Sequence, residues 1–271
     1  MTCTFLCAVC TINAQQSESQ RADSLFRQRA YFEASIEYER ILFGNSQGSI
    51  TAYTIQQKIQ CLKQQKQFAQ AITFIRQHLL ENLPDSISYQ LYYEQVLCAY
   101  LGRNFENALS IMEQMKLIHA RSAGDARLLL IRILSLNELQ QWDQASRLYD
   151  QFMQQHGVAA SLSPYKDVPR LKSKDRAQWL STFIPGGGQL YAGKPLEALV
   201  TIVIQGAAIY FGIVSFQQHY YVATWLVGAG LFGSFHMGGV RRSEVLVEQY
   251  NQKKIARFNQ KVRELLLQEM Q

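Results

Sequence analysis

Apolar positions along the chain follow two regimes. Up to about residue 157 they recur at spacings of three and four, in short runs separated by polar breakers such as Gly44-Asn45-Ser46-Gln47-Gly48, Asn82-Leu83-Pro84-Asp85 and Ser122-Ala123-Gly124-Asp125. That period belongs to amphipathic helices about 12 to 16 residues long, each with one face to bury. From Ala198 to Val240 the pattern changes: 43 consecutive positions carry no Asp, Glu, Lys or Arg. A stretch this apolar has no polar face to offer water. Beyond it, Ile255, Phe258, Val262, Leu265 and Leu266 restore helical spacing among lysines and arginines, which predicts an amphipathic tail helix.

Within the first regime the spacing is itself periodic. Ala34, Ala71, Ala108 and Ala145 lie 37 residues apart, each preceded by three positions by an aromatic: Tyr31, Phe68, Phe105 and Trp142. Tyr38, Ile75, Met112 and Tyr149 follow four residues later, and Ser24, Cys61, Cys98 and Ser135 stand ten residues before. Four copies in one register predict four helix pairs, with small residues where helices approach and an aromatic filling the space beside them. One pair cannot bury its apolar stripe alone, so the copies are expected to stack.

These residues carry a resemblance. Cys61-Leu62 with Phe68-Ala69-Gln70-Ala71, and Ala99-Tyr100-Leu101-Gly102-Arg103-Asn104-Phe105-Glu106-Asn107-Ala108, resemble tetratricopeptide repeats. The chain departs from that family in its period, 37 against about 34, and in Ile59, Val96 and Ile133 where the family has a further small residue. The resemblance implies a solenoid over residues 17–157 that binds a protein or peptide partner.

Two apolar stretches, about 195–216 and 220–240, are each long enough to cross a bilayer as a helix, and only Gln217-Gln218-His219 separates them. A transmembrane hairpin is expected, with Ala208/Gly212 and Ala229/Gly233 as small-residue pairs that permit close contact within the hairpin or between copies. Before it, Pro185-Gly186-Gly187-Gly188-Gln189-Leu190-Tyr191-Ala192-Gly193-Lys194 resembles the Pro-Gly-x-Gly-Gln-x-Tyr-x-Gly motif of an uncharacterised bacterial envelope membrane domain. The similarity extends over about residues 172–251 and includes Gln249-Tyr250-Asn251. Pro185, Gly186, Gly188, Gln189, Tyr191 and Gly193 are its motif residues here; no activity comes with them. Physically, Pro185 and the glycines end any helix arriving from Ala177 and allow a turn back into the first span. Gln189 is suited to satisfy the polar backbone left there.

Charge places the rest. Residues 1–165 hold 14 basic and 14 acidic side chains, so the net charge of +6 comes from residues 166–176 and 241–271, on either side of the uncharged block. This distribution points to lipid headgroups and away from nucleic acid. Phe5 to Ile12 followed by Ala14 has the outline of a signal peptide over residues 1–16, although no Lys or Arg precedes it. Export would put the repeats in the periplasm, whereas the flanking basic clusters favour a cytoplasmic side for both ends of an inner-membrane hairpin. The organisation expected is therefore an all-α chain: signal peptide 1–16, repeats 17–157, basic linker 158–176, membrane domain 177–242 and C-terminal helix 243–271.

No chemistry competes with this reading. The glycines match neither a Walker loop nor Gly-x-Gly-x-x-Gly after a strand. Cys61 and Cys98 fall at equivalent small positions, which favours packing over a disulfide or metal. His119 and His156, also 37 apart, are expected as exposed helix ends. No nucleophile, base and acid stand in a recognisable pattern, and no cofactor or metal is implied. The expected function is a cell-envelope scaffold. The alternative is a membrane module serving as a channel or transporter component or an insertion aid, with Gln189, Gln205 and His236 lining a polar path.

Overall fold

The computed structural model describes residues 19–44, 49–79, 83–155 and 163–269. The segment expected to be a signal peptide, and His156, lie outside them. Every described element is helical and no strand occurs among the described residues. The chain divides into two compact units, Met1–Ser163 and Pro164–Gln271.

Unit 1 contains α1 (19–27), α2 (Tyr31–Gly44), α3 (Ser49–Gln64), α4 (Phe68–Leu79), α5 (Asp85–Leu101), α6 (Phe105–Ile118), α7 (Ala126–Glu138) and α8 (Trp142–Gln155). A short 3-10 turn, Ala120–Gly124, precedes α7. Consecutive helices pack on one another, and α5 also touches α3 and α7. The period of 37 reappears in the backbone. Arg29, Lys66, Arg103 and Gln140 all adopt left-handed φ values of 59° to 64°. Each sits in the same helix-ending turn: the amides of Ala30, Gln67, Asn104 and Gln141 donate to the carbonyls of Leu25, Leu62, Ala99 and Leu136. Those of the left-handed residues donate to Phe26, Lys63, Tyr100 and Asn137. This is a Schellman cap, which satisfies the last carbonyls of one helix while turning the chain into the next.

The spacing of small residues follows from that turn. Ala34, Ala71, Ala108 and Ala145 bond back to the turn residues Ala30, Gln67, Asn104 and Gln141, and all four alanines are fully buried. Ser135, Cys61 and Cys98 are equally buried, and both cysteines are free thiols. Tyr31 and Phe68 pack half-buried against adjacent clusters, the former with Ala34 and Tyr38, the latter with Ala71 and Ile75. Polar contacts also join odd-numbered helices: Lys63 Nζ donates to Glu94 at 2.6 Å, Gln60 Nε2 donates to the same carboxylate at 3.2 Å, and Arg127 lies over the Tyr93 ring.

Unit 2 comprises a 3-10 turn (Pro164–Asp167), α9 (Lys174–Phe183), α10 (Gly187–Tyr191), α11 (Pro195–Gln217), α12 (Tyr221–Ala223), a π-helical stretch (Thr224–Leu231) and α13 (Phe232–Gln268). One described helix, α11, is long and apolar enough to cross a membrane. The second apolar stretch, about 220–240, is not one α-helix of its own. It is shared among α12, the π-helical residues and the first turns of α13, and α13 continues without a break to Gln268. The helix does not break at residue 242, where no proline or turn residue falls; Gly238-Gly239 costs about 1 kcal/mol per residue in a helix interior, too little to interrupt one so long. Likewise α9 begins at Lys174, inside the expected linker, where Ser173 Oγ accepts from the Arg176 amide. Helix α11 meets the π-helical stretch at Gly212 and Gly228: a methyl group on Gly228 would stand 2.9 Å from Gly212 Cα. Gly233, expected at such a contact, has nothing within 4 Å.

Candidate functional site

The motif residues of unit 2 converge on one corner, where α9, α10, α11 and α13 meet. Gly186 begins it with a left-handed φ of 79°, and a Cβ there would lie 2.8 Å from the Ala198 carbonyl oxygen. A side chain is therefore excluded both by conformation and by the approach of α11. Gly188 is tighter still. A Cβ at this position would stand 2.2 Å from Ser181 Oγ, 2.4 Å from the Ala177 carbonyl oxygen and 2.6 Å from Ser243 Cβ. Its amide donates to Ser181 Oγ at 3.1 Å, and Ser243 Oγ donates to the Val240 carbonyl at 2.7 Å. Pro185 and Gly193 bracket the corner, Gly193 turning with φ 84° into α11.

Gln189 is 1% exposed and joins three helices. Its Nε2 donates to the Gly239 carbonyl of α13 at 3.1 Å and to Thr201 Oγ1 of α11 at 3.4 Å; its Oε1 accepts from Ser181 Oγ of α9 at 3.5 Å. Gln205, one turn further along α11, is 2% exposed, and its Oε1 has no hydrogen-bond partner; the same holds for Nδ1 of His236. A crevice of about 180 Å³ opens beside Gln189, Thr201, Ser234, Gly239 and Arg242. Arg242, which lines it, makes a two-pronged bond to Glu197, at 2.9 and 3.2 Å.

The outer side of the corner is held by residues that counted, in the sequence, only as charge or as the end of a motif. Asn251 Oδ1 accepts from the Lys172 amide and its Nδ2 donates to the Lys172 carbonyl, both at 2.8 Å, so one side chain binds both polar groups of an extended residue. Lys172 Nζ donates to the Tyr191 carbonyl at 2.7 Å and stands 3.9 Å from the Tyr250 ring centre. The Ser173 amide donates to Tyr191 Oη at 3.1 Å. Tyr191, Tyr250 and Asn251 thus enclose one lysine. A hydrogen bond with Lys254 and the nearby Lys172 charge lower the Tyr250 phenol from its ordinary value. What this arrangement does is tie the segment before α9 to α10 and α13.

In unit 1, His119 is not an exposed helix end. It is buried, with Nδ1 2.7 Å from Asp85 Oδ1 and Nε2 3.2 Å from Ser88 Oγ, and its ring lies edge-on to Tyr89 and Tyr92. The 34 residues between Asp85 and His119 hide this cluster from any local pattern. The order Asp–His–Ser is that of a hydrolytic relay. However, the amides of Ile87 and Ser88 both donate to the Pro84 carbonyl, so neither is available to stabilise an oxyanion. The cluster ties the start of α5 to the end of α6.

Searches of family models, curated proteins and solved structures found no match to the chain. The functional reading therefore rests on the residues and their geometry.

Proposed function

We propose that the chain is a membrane-anchored scaffold of the cell envelope. In this reading unit 1 is a tetratricopeptide-like solenoid that binds a protein or peptide partner. Unit 2 inserts α11 and the stretch from Tyr221 to about residue 240 into a bilayer as a hairpin, leaving the repeats on one side. One observation carries the proposal: apart from a stripe through Glu197, Thr201 and Gln205, α11 is apolar around its circumference, yet only 22% of its most apolar 18 residues are buried. Leu196, Leu199, Val200, Val203, Tyr210 and Phe216 are all exposed on it, Leu196 at 79%. Leaving each such side chain in water forgoes about 1.5–3 kcal/mol, and so long a continuous sheath finds its solvent in hydrocarbon. Backbone polarity is compatible with that solvent, since α11 and the π-helical stretch bond within themselves.

Alkaline carbonate extraction of membranes bearing the full chain tests the anchor. The chain is expected to stay in the pellet; release as a monomer into detergent-free buffer overturns the reading. For the scaffold, a photo-crosslinking residue in place of Gln90, exposed on α5, is expected to trap a discrete partner in the intact cell envelope. Absence of any adduct from the folded, membrane-bound chain at this and neighbouring exposed α5 positions would overturn it.

A second reading, the polar-path module, is favoured by the unpartnered Gln205 Oε1 and His236 Nδ1. It predicts that Gln205→Leu and His236→Leu abolish function at normal protein levels; silence of both ends it. Gln189 belongs to neither outcome, because its amide is already committed to three helices.

A further inference from the structure

We propose that α9 forms a second, in-plane contact with the bilayer, and that this contact selects anionic phospholipid. The inference rests on the hairpin reading and adds where, and to what, the chain binds at headgroup level.

One face of α9, formed by Ala177 and Ser181, is buried at the glycine corner. The adjoining face, at spacings of three and four, is Arg176, Trp179, Leu180 and Phe183, and it is uncovered: Trp179 is 66% and Phe183 67% exposed. Their rings stack at 4.9 Å. Ile184, Leu190 and, at the start of α11, Leu196 are exposed as well. The exposed apolar residues thus run, along the sequence, up to the start of the helix that the hairpin reading puts in hydrocarbon. The α9 face also begins with a cation and holds a tryptophan, as a helix lying at the boundary between headgroups and acyl chains requires.

Charge identifies the occupant. Residues 172–248 hold six cations, Lys172, Lys174, Arg176, Lys194, Arg241 and Arg242, against four carboxylates, Asp175, Glu197, Glu244 and Glu248. Lys174 is paired with Glu248 and Arg242 with Glu197, whereas Arg176, Lys194 and Arg241 have no ion-pair partner among the described residues. A surplus of two positive charges in the segment that holds the exposed α9 face is complementary to an anionic leaflet. A second copy of the chain, carrying the same surplus, would meet repulsion there.

The test uses the full chain reconstituted in vesicles, with Trp179 as the sole tryptophan (W142F, W225F); phenylalanine already occupies the positions equivalent to Trp142 at Phe68 and Phe105. Dibrominated phosphatidylglycerol or dibrominated phosphatidylcholine is added at equal mole fraction. Trp179 is expected to be quenched, with the anionic phosphatidylglycerol favoured about two- to five-fold, and Arg176→Gln with Arg241→Gln should bring that ratio close to one. A companion chain keeping Trp225 alone reports the hairpin. Quenching of Trp225 without Trp179 overturns the in-plane contact and leaves the hairpin standing, whereas quenching of neither removes the hairpin reading itself. Equal quenching of Trp179 by both lipids overturns the anionic selection.

Discussion

Replacing Gly188 with alanine would drive a methyl group into three neighbours at once, 2.2 Å from Ser181 Oγ, 2.4 Å from the Ala177 carbonyl oxygen and 2.6 Å from Ser243 Cβ. A hydroxyl can rotate away, but the other two atoms cannot. One is backbone of α9 and the other lies next to the backbone of α13, so relief requires both helices to retreat by roughly 1 Å to reach ordinary contact distances. That retreat also stretches the bonds from Gly188 to Ser181 and from Gln189 to Gly239, which stand at 3.1 Å each. Overpacking of this kind costs about 1–3 kcal/mol, and a weakened buried hydrogen bond adds about 1 kcal/mol. With a shift of roughly 4 °C per kcal/mol for a unit of this size, Gly188→Ala should lower the melting point of the detergent-solubilised chain by about 8–16 °C. Gly206→Ala and Gly233→Ala, where nothing lies within 4 Å, are matched controls that should raise it by up to about 4 °C, since alanine is favoured over glycine in a helix interior by about 1 kcal/mol. Ser181→Ala combined with Gly188→Ala should rescue little, since two of the three collisions persist. If Gly188→Ala melts with the controls, the corner is looser than these distances state and the argument for a rigid junction fails.

Arg103→Gly and Gln140→Gly should each stabilise unit 1, by about 0.5–1 kcal/mol in urea titrations, because the left-handed conformation costs an L side chain about 1–2 kcal/mol and glycine's greater unfolded freedom returns part of that. Burial pushes the Cys61 thiol up to about 11 and the Cys98 thiol up to about 12, so neither should react with a disulfide reagent at pH 8 until denaturant is added; rapid labelling of the folded chain would contradict the packing. Burial raises the Asp125 carboxyl, but bonds from Arg127 and Tyr89 outweigh it and hold the group at about 2. Its stabilising contribution is therefore complete above the ordinary carboxylate value of about 4 and is lost as pH falls through about 2. Asp125→Asn should flatten the acid limb of unit 1 unfolding across that window.

The equal spacing of four alanines was readable because a buried, close-packed position tolerates few residue types, and repetition multiplies a weak signal. The turn that enforces the spacing was not readable. Arg29, Lys66, Arg103 and Gln140 share a left-handed backbone, yet none is the glycine or asparagine that usually announces it. The glycine run foretold a break and a close approach, but not that Gly188 touches α9 and α13 together, since Ser243 lies 55 residues away. Asn251 and Lys172 stand 79 residues apart in sequence and 2.8 Å in space; a one-dimensional pattern holds no trace of such a pair. The burial of His119 is hidden for the same reason, its carboxylate and hydroxyl partners arriving from the start of α5, the other helix of its own pair. Charge counting located the ends of the apolar block correctly in sequence, but treated Lys172 as one cation among several rather than as the centre of the Tyr191, Tyr250 and Asn251 enclosure.

The unbroken course of α13 has a mechanical consequence. Its 37 residues make a rod of about 55 Å, with Gly239 gripped by Gln189 near one end and Phe258, Val262 and Leu266 buried toward the other. A rod without a hinge transmits rotation along its whole length. Force applied to the far tip would therefore reach the Gln189 grip as torque, and whatever seizes residues 260–268 would also turn the helix start that packs against α11.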